Sequence, residues 1–262
     1  MPHISYSEVK EWAGCPWKHK LNYIEKINEF KGNEYTAFGT ALHSVCEELI
    51  HENNADYDPK AGFQTEFLKN LQELKAKDPE FVFKHELIAS MRLQGPIITD
   101  YIIPEIKKYF GSFELVTVEE KLYEAIADLD YSFKGFIDLV VKTKDEKYHI
   151  IDWKTCSWGW DQRRKTDKLV TYQLTLYKHF WCLKHNIDPK NVQTHFALLK
   201  RTATKNHVEF FKVTSGAKKT ENALKLVNKS IYNIKKGNHI KNKLSCYGKY
   251  GRCEYYKTQH CK

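Results

Sequence analysis

The spacing of apolar positions changes period along the chain, and those changes mark out its elements. Between residues 5 and 28, Val9, Trp12, Leu21, Ile24 and Ile27 recur at helical spacing. Ser5 or Ser7 can cap that segment, and Pro16 opens a second piece within it. A second helix is predicted from about Tyr35 to Asn53, with Phe38, Leu42, Val45, Leu49 and Ile50 on one face, and "ADYDP" ends it. Residues 62–110 read as two or three further helices, broken at "KDPE", at "GP" and at Pro104. From Phe113 the period becomes two. "FELVTVEEKLYEAI", "YSFKGFIDLVVKT" and "KYHIIDWKT" predict three successive strands, the last two joined by the polar turn "KDEK". A helix from about Thr166 to Asn186 follows, then the strands "VQTHFALLKR" and "HVEFFKVT", then a helix from about Gly216 to Lys236. The order predicts an α/β fold with a mixed central sheet flanked by helices, an N-terminal helical elaboration and an irregular, basic C-terminal tail. We expect one domain over residues 1–262, with 62–110 a helical insertion, 113–214 the sheet core and 237–262 the tail.

Composition adds a core and a partner class. Hydrophobic residues make up 42% and aromatics 14% of the 262 residues, ample for a packed interior. Lys and Arg outnumber Asp and Glu by 42 to 33, a formal charge of +9, which favours a polyanionic partner, nucleic acid foremost. No apolar run approaches the roughly 18–20 residues of a membrane span, and "MPHISYSEVKEW" lacks the apolar centre of a signal peptide. The expectation is a soluble cytoplasmic protein, in a bacterial or phage-infected cell, without a membrane partner. Seven cysteines are an odd count without a secretory signal, so thiolate ligation of a metal is favoured over a disulfide framework.

The strand pair raises the chemical question. "GFIDLVVKTKDEKYHIIDWKTCS" sets Asp138, Asp152 and Lys154 among residues that otherwise read as buried. Alternate strand residues share a face, so Asp152 and Lys154 project together while Ile151 and Trp153 point the other way. A short hairpin brings Asp138 beside Asp152, where two carboxylates repel unless a divalent cation neutralises them. Oxygen ligands of this kind suit Mg2+ or Mn2+, and a lysine beside such a metal can orient or activate a water for phosphodiester hydrolysis. A solvated D-x-K ion pair is the plain alternative. Three further features bear on that choice: His43 on the apolar helix in "FGTALHSVCEELI"; Gln173 and Tyr177 one turn apart in "TYQLTLYKHF"; and "SWGWDQRRKTDK", which mixes Trp158 and Trp160 with Arg163, Arg164, Lys165 and Lys168 as stacking surfaces and phosphate partners.

Taken together, "GTALH", "GFIDLV", "IIDWKT" and "YQLTLY" resemble, in order, the PD-(D/E)XK nuclease superfamily, and specifically its RecB-like branch of CRISPR-associated adaptation nucleases and phage exonucleases. The opening "SYSEVKEWAGCPWKHKLNYIEKI" is similar to that branch's first helix. The resemblance implies a restriction-endonuclease-like fold and a divalent metal held by His43, Asp138, Asp152 and the main-chain carbonyl of Trp153. It implies that Lys154 handles the water, that Gln173 and Tyr177 arrange the site, and that Glu119 or Glu120 adds an outer carboxylate. It further implies a DNA exonuclease of recombination, repair or phage DNA processing, with a helicase or recombination protein as a possible partner. A non-catalytic DNA-binding subunit keeping the fold is the alternative, and a zinc-stapled RNA-binding protein a third reading. Several relatives of this kind hold an iron-sulfur cluster with one N-terminal and three C-terminal cysteines, a layout matched by Cys15, Cys246, Cys253 and Cys261. Here the tail spacing is C-x6-C-x7-C instead of a tighter C-x2-C, so a [4Fe-4S] cluster, zinc and unligated thiols all stay open.

Overall fold

A computed structural model describes residues 2–27, 31–51, 56–248 and 251–262, so the ends of the first two expected helices, Asn28 and Asn53, lie outside the described residues. The chain divides into two compact units, one of Met1–Phe30, Leu122–Gly135 and Gly216–Lys262, the other of Lys31–Lys121 and Phe136–Ser215.

The second unit holds most of the sheet, whose stretch Leu122–Gly135 belongs to the first. The strands are β2 (Phe113–Ala125), β3 (Ser132–Thr143), β4 (Tyr148–Cys156), β5 (Val192–Lys200) and β6 (Val208–Val213), close to the strands that the period-two pattern predicts. They pair in that order, β3 with β4 antiparallel, β4 with β5 parallel and β5 with β6 antiparallel, a mixed sheet. The parallel step is made by helix α7 (Lys168–His185), which packs against β4 and β5 and is preceded by the short α6 (Gln162–Thr166). Because side chains alternate, Leu139, Val141, Ile151, Trp153, Ala197 and Leu199 all point to one face, where they form a single core with helices α3 (Glu34–Ile50), α4 (Pro59–Lys77) and α5 (His85–Phe110). The sheet is therefore flanked by helices, as an α/β chain of this order requires.

The predicted breaks inside 62–110 hold at "KDPE" only. Pro96 and Pro104 lie within a continuous 26-residue α5. A proline removes the bond to the carbonyl four residues back. For Pro96 that carbonyl, Arg92 O, is taken over by Gln64 Nε2 of α4 at 2.7 Å, while Arg92 Nε donates to Gln64 Oε1 at 3.1 Å. A side chain distant in sequence repairs the helix, so no local signal foretells it. At the edge of the core, His149 and His195 sit buried with Nδ1 and Nε2 3.1 Å apart; Tyr109 OH lies 3.4 Å from His195 Nδ1 and Thr143 Oγ1 2.9 Å from His149 Nε2.

In the first unit, a short strand β1 (His3–Ser5), absent from the sequence-based expectation, runs parallel to the start of β3. Ser5 then caps helix α1 (Tyr6–Gly14), accepting from Glu8 N at 3.2 Å. Pro16 opens α2 (Pro16–His19), which continues into a π-helical turn over Lys20–Ile24. The predicted C-terminal helix is α8 (Ala217–Lys235), packed on α1, and the tail ends in a small hairpin of β7 (Tyr247–Gly248) and β8 (Gly251–Arg252). Among the described residues no helix is long and apolar enough to cross a membrane.

Gly95 of α5 faces α4 so closely that a Cβ there would collide with the Phe63 ring, itself locked between Phe38 and Phe67. Helix propensity alone favours Ala over Gly by about 0.5–1 kcal/mol. We expect packing to reverse that sign, so that Gly95→Ala lowers stability by about 1–3 kcal/mol in denaturant titration. An unchanged or raised midpoint would mean that Phe63 moves aside freely.

Candidate active site

Strand register builds the centre of the site. Leu139 pairs with Ile151 at the last matched position of β3 and β4, and extending the register by one step sets Asp138 opposite Asp152, where the two strands part. The parting frees main-chain groups of β4. Asp138 Oδ2 fills that gap by accepting the Trp153 N–H at 2.7 Å. Trp153 itself, only 1% exposed, anchors the strand in the core beside Ile151, as the alternation predicts.

Both carboxylates are buried, Asp152 to 2% exposure. Burial pushes each pKa up to about 6, against the opposing pull of the Lys154 ammonium. Lys154 Nζ pairs with Asp152 Oδ2 as both ion pair and hydrogen-bond donor, so one lysine is the counter-charge for two buried carboxylates. For Lys154 burial acts downward, yet Asp152 and Asp138 outweigh it and its pKa is raised. The lysine is a fixed positive charge at neutral pH.

His43 is brought in by α3, the helix of "GTALH". At Gly39, one turn before it, a Cβ would stand 3.2 Å from Thr155 Oγ1, so the glycine allows α3 to cross close to β4. Nδ1 of His43 lies 3.8 Å from Asp138 Oδ2, and its ring bonds to the Trp153 main chain. Burial and then Lys154 lower its pKa to about 4, so the imidazole is neutral at physiological pH with a lone pair to offer. On α7, Gln173 Nε2 donates to Tyr177 OH at 3.1 Å. Burial and then the nearby Asp152 raise the tyrosine pKa. The structure thus gathers His43, Asp138, Asp152, Lys154, Gln173 and Tyr177 in one place.

Sequence reasoning leaves two acidic residues unresolved that the geometry sorts out. Glu120 turns away from the site and accepts from Trp181 Nε1 at 2.8 Å, Lys184 Nζ at 2.7 Å and His185 Nε2 at 2.6 Å. Glu119, with φ at +48°, sits where the alternation of β2 slips by one residue, and it faces the site. There it hydrogen-bonds Glu47, which no motif singles out although it stands one helical turn beyond His43. The basic residues after β4 divide. Arg164 stacks on Trp160 at 4.4 Å and Lys165 pairs with Glu209 at 2.5 Å, whereas Arg163 and Lys168 are exposed.

A second constellation lies in the first unit. Cys15, Cys246, Cys253 and Cys261 are free thiols lining one small pocket with Trp17 and Tyr255. The N–H groups of Lys18 and Asn242 point at Cys15 Sγ from 3.5 and 3.4 Å. Among the described residues, no three His, Cys, Asp or Glu side chains are drawn together as a metal-ligand set, here or around Asp152.

Burial and then Glu119 hold Glu47 up at about 8, so its charge is a burden on the fold. An acid raised from its ordinary value near 4.5 makes the native state progressively less stable as pH rises from 4.5 to 8, with no further change above. Glu47→Gln should therefore match the parent at pH 4.5 and exceed it in thermal stability at pH 8. A parent and variant with parallel stability curves over that range would contradict the assignment.

No curated protein is similar enough to count as a match. Among solved structures, a proposed exonuclease from Eubacterium rectale superposes with a TM-score of 0.58 over 99% of this chain and 86% of that chain at 14% identity, a likeness of fold alone. A second, SSO0001, reaches a TM-score of only 0.35 at 15% identity over 78% of this chain and 88% of that one. A family model matches residues 3–258, which takes in every side chain of the site and all the elements of a restriction-endonuclease-like mixed sheet with flanking helices. By that match the chain belongs to the PD-(D/E)XK nuclease superfamily.

Proposed function

We propose that this nuclease hydrolyses DNA phosphodiester bonds with Mg2+ or Mn2+, as an exonuclease of DNA recombination, repair or phage DNA processing. The observation that carries the reading is the pair of buried carboxylates, Asp138 and Asp152, set side by side with a single lysine as counter-charge. Burying two adjacent carboxylates with one counter-charge between them costs several kcal/mol unless a further cation neutralises the pair. His43, neutral and within reach of Asp138, supplies a nitrogen to the same place. The residues present fit a divalent cation held by Asp138, Asp152, His43 and the Trp153 carbonyl. Such an ion, when bound, acidifies a water and neutralises phosphoryl charge.

The chain's own groups do the rest. Lys154, a cation at neutral pH, is placed to orient the attacking water and to stabilise negative charge developing on the phosphoryl oxygens. Tyr177, kept protonated by its raised pKa and held by Gln173, offers a fixed hydroxyl on the α7 side. Trp153 holds the strand that carries Asp152 and Lys154. Arg163 and Lys168 offer exposed positive charge to the phosphate backbone. The nucleic acid is read as DNA on the strength of the family and of the exonuclease named for the superposable bacterial protein.

For the four cysteines we infer a structural [4Fe-4S] cluster, with zinc as the competing occupant. Free thiols around one pocket and N–H donors aimed at a sulfur are the donor set that a thiolate-bound metal needs.

Two experiments decide these readings. Asp152→Ala and Lys154→Ala should each lower Mg2+-dependent cleavage of end-labelled linear DNA at least about a hundred-fold with folding retained. Cleavage at the parental rate by either variant, or a parent that binds DNA without cutting it, sinks the catalytic assignment. Anaerobically purified protein should be brown and should bleach in Cys246→Ala, while colourless protein with one zinc per chain would replace the cluster by zinc.

A further inference from the structure

Directly after β4, the segment Ser157–Asp161 treats its two tryptophans in opposite ways. Trp160 is buried, its ring 5.2 Å from Phe196 and 5.9 Å from Phe211 by centroid, with the Arg164 guanidinium over it. Trp158, two residues earlier, is 78% exposed. An indole left in water forgoes the large burial that normally draws this side chain into a core.

The exposure does not come from a loose loop. Arg201 N donates to Cys156 O at 2.8 Å, and the N–H and Oγ1 of Thr202 both donate to Ser157 O, at 2.9 and 3.1 Å. The residue before Trp158 is thus tied to the turn after β5, and the residue two beyond it is anchored in the core. The indole is mounted on a fixed arm four residues from Lys154, with the exposed cations Arg163 and Lys168 following in the chain.

A flat, exposed π-face followed closely in the chain by exposed positive charge is the arrangement that takes a nucleobase while its phosphates are held alongside. Paired bases inside a duplex have both faces occupied by their neighbours, so only an unpaired or terminal base is available to it. We propose that Trp158 stacks on an unpaired nucleobase next to the scissile phosphate, which makes single-stranded DNA and frayed ends the preferred substrates. The inference rests on the nuclease reading above.

The test separates the two. Stacking on one base is worth about 1–3 kcal/mol, which corresponds to roughly 5- to 150-fold in affinity. Trp158→Ala should therefore raise KM on single-stranded oligonucleotides about ten-fold or more, leave kcat near the parental value, and leave KM on blunt duplex unchanged; Trp158→Phe should restore most of the loss. In the Lys154→Ala background with EDTA, a single-stranded oligonucleotide should quench tryptophan emission, and adding Trp158→Phe should remove most of the quench. A parental KM for Trp158→Ala on single strands, or an equal loss on blunt duplex, overturns the inference while the nuclease stands. A parent protein that neither cuts nor binds DNA overturns both.

Discussion

Two aspartates set opposite each other where little water reaches them are a standing electrostatic load, because each carboxylate is destabilised by burial and by its neighbour. The surroundings can be read as responses to that load. The strands part at this pair, so Asp138 finds a main-chain N–H in place of a ladder bond. Lys154 supplies one counter-charge from the same strand, bonded to Asp152 Oδ2. The same lysine, together with burial, keeps His43 neutral. What results is a centre short of one positive charge, held by a strand whose opposite face is locked into the core.

Much of this is legible in the pattern of the chain itself. Period-two patterning gave the strands to within a residue or two, and alternation assigned Ile151 and Trp153 to the core and Asp152 and Lys154 to the other face. The residues that escaped notice did so for physical reasons. Glu47 is an ordinary glutamate on a helix, and only the position of β2 makes it half of an acid pair. The choice between Glu119 and Glu120 hangs on a backbone slip at a non-glycine residue with positive φ, for which sequence carries no marker. The continuity of α5 through Pro96 depends on Gln64, some thirty positions away. β1 escaped because three residues are too few to show a period.

The two constellations are also separate in how they are held. Every side chain of the acid and lysine site belongs to one compact unit, and all four cysteines to the other. Within the cysteine unit, Trp17 Nε1 donates to His260 O at 2.8 Å, Asn242 Nδ2 to Gly14 O at 2.8 Å and Tyr255 OH to Asn22 Oδ1 at 2.5 Å. Early and late segments are therefore stitched by hydrogen bonds that do not involve sulfur. A metal there would reinforce a closure that already has its own ties.

The buried pair His149 and His195 has a consequence of a different kind. Asp145 is an acceptor only, so the Thr143 hydroxyl 2.5 Å away must give its proton to it. Thr143 Oγ1 then receives the Nε2 proton of His149, whose bare Nδ1 receives the Nε2 proton of His195, whose bare Nδ1 receives the Tyr109 hydroxyl proton. One surface carboxylate thereby dictates the tautomer of two imidazoles in series, and all four ring nitrogens are spoken for. Two potential nitrogen ligands are thereby closed to any dissolved cation by the direction in which a row of protons points.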